Sequence, residues 1–221
     1  MSSREQTSIV IATGNPHKVA ELRHLFSGVL AARGLNLIGL SDLSRPTTEP
    51  FESGSTFEAN ATIKARSYAA QSRLMCLADD SGLEIDALGG KPGVISSHYA
   101  TDGRETGLTR DQRDQDNLNL VLQQLAGVPL AERTARFVCV MVLAAADGAI
   151  LASVRGTCEG VIGVPPDVPR GKEGFGYDPI FLVGPDHRLT SAQLSAGAKN
   201  LISHRGAAAR RLIGKLESLA L

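Results

Sequence analysis

Ser8-Ile9-Val10-Ile11-Ala12-Thr13-Gly14-Asn15-Pro16-His17-Lys18 is the stretch on which the fold turns. Residues 8–13 are short, apolar and rich in β-branched side chains. The run stops at Gly14-Asn15-Pro16, the pattern of a buried strand entering a turn. Val19, Leu22, Leu25 and Phe26 then recur at helical spacing, so a helix follows over residues 17–26. Residues 35–40 form a second short apolar run. Strand, helix and strand in this order predict a parallel pair joined by a crossover.

Working outward, a loop containing Pro and Thr covers residues 44–55, and Thr56 is placed to cap a helix reaching Arg73. Residues 75–78 read as an apolar strand stopped by Asp79-Asp80-Ser81-Gly82, with a short strand over 83–88 beyond that turn. Residues 110–125 carry Leu118, Val121, Leu122 and Leu125 on one helical face. Residues 136–146 form a long apolar strand, and Asp147-Gly148 is a two-residue hairpin signal that returns the chain over 150–155. Residues 161–169 are Pro-rich and irregular, and 177–183 read as a strand. Thr190 with Gln193 forms a capping-box pattern that opens a helix, and a last helix over 204–219 stripes Ala208, Leu212, Leu216 and Leu219. An early βαβ unit with a later hairpin implies a mixed sheet. Residues 1–221 are read as a single α/β domain.

Composition narrows the function. Lys and Arg together number 23 and so do Asp and Glu, so no global field draws the chain to nucleic acid or to a membrane surface. A polyanionic small ligand would need a local basic site. Cys76, Cys139 and Cys158 show no CxxC spacing, and the odd count speaks against a disulfide scaffold. The N-terminal MSSREQTS is polar, and no run approaches the roughly 20 apolar residues of a spanning helix. A soluble, cytoplasmic protein is the expectation.

Five features carry chemistry. In Thr13-Gly14-Asn15-Pro16-His17-Lys18, Gly14 lets backbone N–H groups approach a ligand and the helix start offers unpaired donors. Lys18 and the Thr13 hydroxyl can add contacts to phosphate, although no Walker A pattern is present. Asp79 and Asp80 adjoin at a strand end. Because successive strand side chains face opposite ways, only one faces a given cleft; such a carboxylate can hold Mg²⁺ or take a proton from water. Glu49 and Glu52 sit in the loop before the second helix, where Asn60 and Lys64 share a face that reads as solvated. In Gly171-Lys172-Glu173-Gly174-Phe175-Gly176-Tyr177-Asp178-Pro179, Phe175 can stack on a purine in a chain with only 4% aromatics. Last come Lys199 and Ser203-His204-Arg205-Gly206, with Ser203 suited to an N-cap. A cation at a helix start opposes the dipole, which hints at an anion or base nearby.

ATGNPHK, FESGSTFEANATIKA, LADDSGLEIDALGGKPGV, GFGYDPIF and SHRGAA occur in this order. Together they resemble the inosine triphosphatase, or Ham1-like, family of non-canonical purine nucleoside triphosphate pyrophosphatases, from about Ile9 to Arg211. The resemblance implies an elongated mixed α/β sheet with flanking helices, two lobes around a central substrate cleft, a homodimer and a Mg²⁺ cofactor. It implies that Thr13, Gly14, Asn15, Pro16, His17 and Lys18 hold the triphosphate, that Asp80 is the catalytic acid with Ser81 a substrate contact, and that Glu52 joins Asp80 at the metal. Phe175, Gly176, Tyr177 and Asp178 match the base-binding segment, and Lys199, His204 and Arg205 match further substrate contacts. His204 and Arg205 are the candidates for donors to a 6-oxo purine. Two departures stand out. Many relatives carry Ser-Ala-Arg where this chain has Ser96-Ser97-His98, and residues 164–170 look longer than usual. The implied reaction is attack of water on the α-phosphorus, releasing pyrophosphate. Two other readings are open: a sensor that binds such nucleotides without hydrolysis, and a pyrophosphatase acting on modified pyrimidines or dTTP.

Overall fold

Asn15, four residues beyond strand β1 (Thr7–Ile11), caps the start of helix α1 (Pro16–Ala31). Its side chain accepts a hydrogen bond from the His17 N–H at 3.0 Å, and Pro16 occupies the first turn, where a missing N–H costs nothing. The helix outlasts its expected end at Phe26 because Leu22, Phe26 and Leu30, four residues apart, form one buried stripe. Strand β2 (Leu35–Gly39) returns parallel to β1, with Ile9 opposite Leu37, as the βαβ reading requires. The computed structural model describes residues 7–219, so most of the polar N-terminal segment lies outside the described residues.

Helix α2 (Phe57–Ser72) is capped by Thr56, whose Oγ1 accepts from the Ala59 N–H, and ends at Arg73 in the left-handed conformation. The next strand departs from expectation. Strand β3 (Met75–Ile85) runs unbroken through Asp79-Asp80-Ser81-Gly82, where a turn was expected. Short strand β4 (Lys91–Pro92) pairs antiparallel with its far end. Helix α3 (Arg110–Gln124) has Thr109 and Gln112 as a capping box. Strands β5 (Thr134–Ala144) and β6 (Ile150–Ile162) flank a tight turn at Asp147-Gly148, with Gly148 at φ +86° and the Ala145 N–H bonded to the Ala149 carbonyl at 2.8 Å.

Two later expectations are corrected. Strand β7 covers only Phe181–Val183, because Ile180 and Phe181 both donate to the Tyr177 carbonyl and turn the preceding residues. The Thr190–Gln193 capping box closes a single 3₁₀ turn, and a separate short helix, α4 (Ala196–Ile202), follows it. The final helix α5 (His204–Leu216) buries Ala208, Leu212 and Leu216 along the expected stripe.

The strand order is β2-β1-β3-β5-β6-β7, a mixed sheet with flanking helices. Contacts group the chain into two compact units, the first holding residues up to 80, 139–156 and from 205 onward, the second 81–138 and 157–204. The first unit packs α1 and α5 against Ile9, Ile11, Leu77, Cys139, Met141 and Leu143. The second packs α3 residues Leu118 and Val121 with Leu83, Ile85, Ile162, Ile180 and Phe181. Among the described residues no helix is long and apolar enough to cross a membrane. Cys76 and Cys139 are buried free thiols, as their apolar settings foretold.

Candidate active site

The parallel register brings the phosphate-type turn to the acidic pair. Ile11 lies opposite Leu77, and the Ala12 N–H bonds the Leu77 carbonyl at 2.8 Å, so Thr13 leaves its strand beside Asp79. Strand ends of this kind are where α/β sheets build their sites. Thr13 and Asn15 shape the turn itself, the Thr13 Oγ1 accepting from the Asn15 N–H at 3.2 Å. Gly14, Pro16 and His17 are exposed, and a Cβ at Gly14 would meet open space, so the turn leaves room in front of its backbone.

Asp79 and Asp80 are both buried, and the alternation of β3 sends them to opposite faces. Asp79 faces α1 and α5. Its Oδ2 lies 3.1 Å from Lys18 Nζ and 3.2 Å from an Arg205 terminal nitrogen, and Arg205 also bonds Glu21 on α1. Burial alone would raise the Asp79 carboxyl, but the Lys18 and Arg205 cations outweigh it and hold the group well below the usual carboxylate range. Cys139 Sγ sits 4.0 Å away, and burial pushes that thiol up to about 12, so it stays neutral. Arg205 is thus 2% exposed and employed on Asp79 and Glu21. This explains a cation at a helix start, because two carboxylates offset the opposing dipole.

Asp80 faces α2. Its Oδ1 accepts from Lys64 Nζ at 2.7 Å, and the same ammonium reaches Glu52 Oε2 at 3.1 Å. Asn60 draws the loop in by accepting from the Gly54 N–H at 2.8 Å, which carries Glu52 over Lys64; Glu49 stays exposed. The pair expected on a solvated helix face is therefore buried, with Asn60 at 3% and Lys64 at 6% exposure. Lys64 is held charged: burial opposes its charge, but the Asp80, Glu52 and Asp79 carboxylates outweigh that cost. One ammonium shared between two carboxylates leaves Asp80 under-compensated, and burial pushes its carboxyl up to about 6. Asp80 Oδ2 is buried with no hydrogen-bond partner among the described residues. A buried carboxylate oxygen left unclaimed is costly and points to a ligand. Ser81 follows on β3 and is half-buried.

The second unit holds the remaining candidates. Asp178 is 4% exposed, and its Oδ2 accepts both the Phe175 N–H at 2.8 Å and Lys199 Nζ at 2.6 Å. Lys199 Nζ also stands 5.7 Å from the Phe175 ring centroid, within cation–π range. The Tyr177 hydroxyl donates to the Ser96 carbonyl at 2.8 Å, so Tyr177 anchors the segment and does not present its hydroxyl. His204 stacks on Phe137 with centroids 5.0 Å apart, and Ser203 lies between α4 and α5 in extended conformation. His98, at the departure from the resembled pattern, bonds Ser97, Glu105 and Arg113, so that cluster carries a fixed guanidinium after all.

Gly174 makes the Asp178 hub possible. It has φ +80°, and a Cβ there would lie 2.0 Å from Asp178 Oδ2 and 2.7 Å from Lys199 Nζ. Gly174→Ala is expected to break the Asp178–Lys199 pair and to destabilise the protein by about 1–3 kcal/mol. Urea denaturation checks this, and an unchanged midpoint would contradict the hub.

Asn60 and Lys64 were read as a solvated helix face, and Glu21 is the member that sequence reasoning passed over. Glu21 carries a faint signal, since it stands three residues after Lys18 and shares its helix face.

The sequence profile of the Ham1 family matches residues 9–215. A dITP/XTP pyrophosphatase of Nitratidesulfovibrio vulgaris is 46% identical over 208 residues, covering 94% of this chain and 95% of that protein. The dITP/XTP pyrophosphatase of Bacillus subtilis is 42% identical, covering 95% and 96%. The solved structure of a HAM1 protein from Coxiella burnetii superposes with a TM-score of 0.79 at 40% identity, covering 96% of this chain and all of that one. Sequence, fold and the matched segments agree, and the chain belongs to the Ham1 family.

Proposed function

We propose that this chain hydrolyses non-canonical purine nucleoside triphosphates, dITP, XTP and ITP among them, to the monophosphate and pyrophosphate. The observation that carries the reading is the pair Asp79 and Asp80 in the middle of β3, with Lys18 on one face and Lys64 on the other. The substrate class comes from the activity for which the relatives are named.

Phosphoryl chemistry at a triphosphate is mainly positioning and charge neutralisation. The exposed backbone of Gly14 and the start of α1 would receive phosphate oxygens, with Lys18 supplying a compensating charge. Lys64 would hold the Asp80 and Glu52 carboxylates together. Asp80 would take the proton of the water that attacks the α-phosphorus. Its carboxyl, pushed up to about 6, is ionised at neutral pH yet basic enough to accept that proton. The donor set suits Mg²⁺, which prefers hard oxygens and takes only one or two carboxylates beside phosphates and waters. The unclaimed Asp80 Oδ2 and the Glu52 carboxylate would hold it. When bound, Mg²⁺ supplies Lewis-acid polarisation and neutralises phosphate charge.

The 6-oxo group of hypoxanthine and xanthine accepts hydrogen bonds where adenine donates, and one mismatched buried pairing costs on the order of 1–3 kcal/mol. Phe175, Gly176 and the Asp178–Lys199 pair are the groups proposed to receive the base. Arg205, committed to Asp79 and Glu21, is removed from the proposed donors. The test is purified protein with Mg²⁺ and a panel of dITP, ITP, XTP, GTP, ATP and dTTP, scoring pyrophosphate and monophosphate. Turnover of dITP and XTP at least tenfold above ATP is expected, and it should vanish on chelation of Mg²⁺. Equal turnover of dTTP, or binding without products, would overturn the reading.

A further inference from the structure

Asp114 stands apart from every segment that carries the family resemblance. It lies on α3, one turn before the buried Asn117 and Leu118, and it is half-buried. Its Oδ2 accepts the Gly176 N–H at 3.0 Å, across 62 residues of chain. Gly176 follows Phe175, the ring proposed to stack on the base, and precedes Tyr177 and Asp178.

The intrinsic backbone preference of the Phe175 turn does little to hold it. Gly174 and Gly176 both take left-handed φ, at +80° and +62°, a conformation held at little intrinsic cost and therefore easily left. Beside the turn lies a pocket of about 200 Å³ lined by Asp111, Asp114, Lys172, Phe175 and Pro179, so packing does not immobilise it on that side. Side-chain anchors hold it instead. Asp178 takes the Phe175 N–H, Tyr177 reaches Ser96, and Asn117 of α3 donates to the same Ser96 carbonyl at 3.3 Å. Asp114 supplies the second tie from α3, and together with the Asp178 N–H, which donates to the Phe175 carbonyl at 3.3 Å, it holds the peptide that follows the Phe175 ring.

We propose that Asp114 is a positioning residue for nucleobase recognition, acting through the Gly176 N–H to hold the Phe175 turn ready for the base. The inference rests on the proposed function. Asp114 touches neither phosphate-binding turn nor the Asp80 cluster, so its loss should act on binding of the base and leave the chemical step alone.

The experiment compares wild type, Asp114→Ala and Asp114→Asn, measuring kcat and KM for dITP and inhibition by inorganic tripolyphosphate, which has no base. Asp114→Ala is expected to raise KM about tenfold, with kcat within threefold and tripolyphosphate inhibition unchanged. Asp114→Asn keeps an acceptor oxygen and should restore KM to within threefold of wild type. An unchanged KM in Asp114→Ala, an Asn variant as impaired as Ala, or parallel weakening of tripolyphosphate would each overturn the proposal. Should the alanine variant fail to fold, hydrogen exchange of the Gly176 amide in the wild-type protein decides: protection supports the tie, and exchange at the rate of an unstructured peptide overturns it. A wild type that turned over no purine triphosphate would overturn the proposed function as well; dITP turnover with an indifferent Asp114 overturns this inference alone.

Discussion

Asp80→Asn is expected to lower kcat by about 10²–10⁴-fold, the range that a positioned general base contributes. The amide keeps the shape of the carboxylate but cannot accept the proton of an attacking water. It also replaces the unclaimed Oδ2, proposed as a Mg²⁺ ligand, with a weaker neutral donor set. The fold should tolerate the change well. Burial pushes the Asp80 carboxyl up to about 6, which means that the folded protein already disfavours its charge. Lys64 retains Glu52 as a counter-ion at 3.1 Å. Stability by urea denaturation in the absence of Mg²⁺ should therefore stay within about 1 kcal/mol of wild type, or rise, the usual sign of a residue kept for function at a cost in stability. Pyrophosphate release measured beside the denaturation curve separates the two effects. Turnover near the wild-type rate would remove Asp80 from its role.

The parts of this site that were legible in the sequence are those set by local rules. The β1–turn–α1 unit follows from a β-branched run, an Asn cap and a Pro in the first turn, each of which acts within a few residues. Asp79-Asp80-Ser81-Gly82 misled because Asp, Ser and Gly are turn formers when their side chains bond nearby backbone. Here the carboxylates are claimed by Lys18, Arg205 and Lys64 from three helices, and the backbone stays extended. Those partners lie between 16 and 126 residues away, so no window of sequence contains them. Lys64 read as a solvated residue for the same reason: its amphipathic pattern is polar, and only the fold reveals that two carboxylates wait beneath it. Residues 177–180 looked like strand from their aromatic and β-branched content, but turn hydrogen bonds to the Tyr177 carbonyl overrode that propensity. Arg205 was legible as unusual, through its charge at a helix start, while the identity of its partners was not. Asp114 carried no signal at all, because a single acid in the polar first turns of a helix is the ordinary case.

Asp79→Asn should have the larger effect on stability, and its comparison with Asp80 tests whether neighbouring acids divide the labour of the site. The Asp79 side chain is fully buried and faces Lys18, 13% exposed, and Arg205, 2% exposed. Replacing one partner of a buried ion pair strands the other charge, at a cost of about 3–5 kcal/mol. Glu21 remains to receive Arg205, which limits the loss, but Lys18 keeps no carboxylate at this distance on β3 and is free to swing toward water. Two consequences follow together. The urea midpoint should fall by an amount equivalent to about 3 kcal/mol or more, and KM for a triphosphate should rise because Lys18 no longer points where the phosphates are proposed to bind. Asp80→Asn does the reverse, sparing stability and slowing the chemical step. A loss below about 1 kcal/mol in Asp79→Asn would mean that water reaches and screens the cluster, and the division of roles between the two faces of β3 would have to be abandoned.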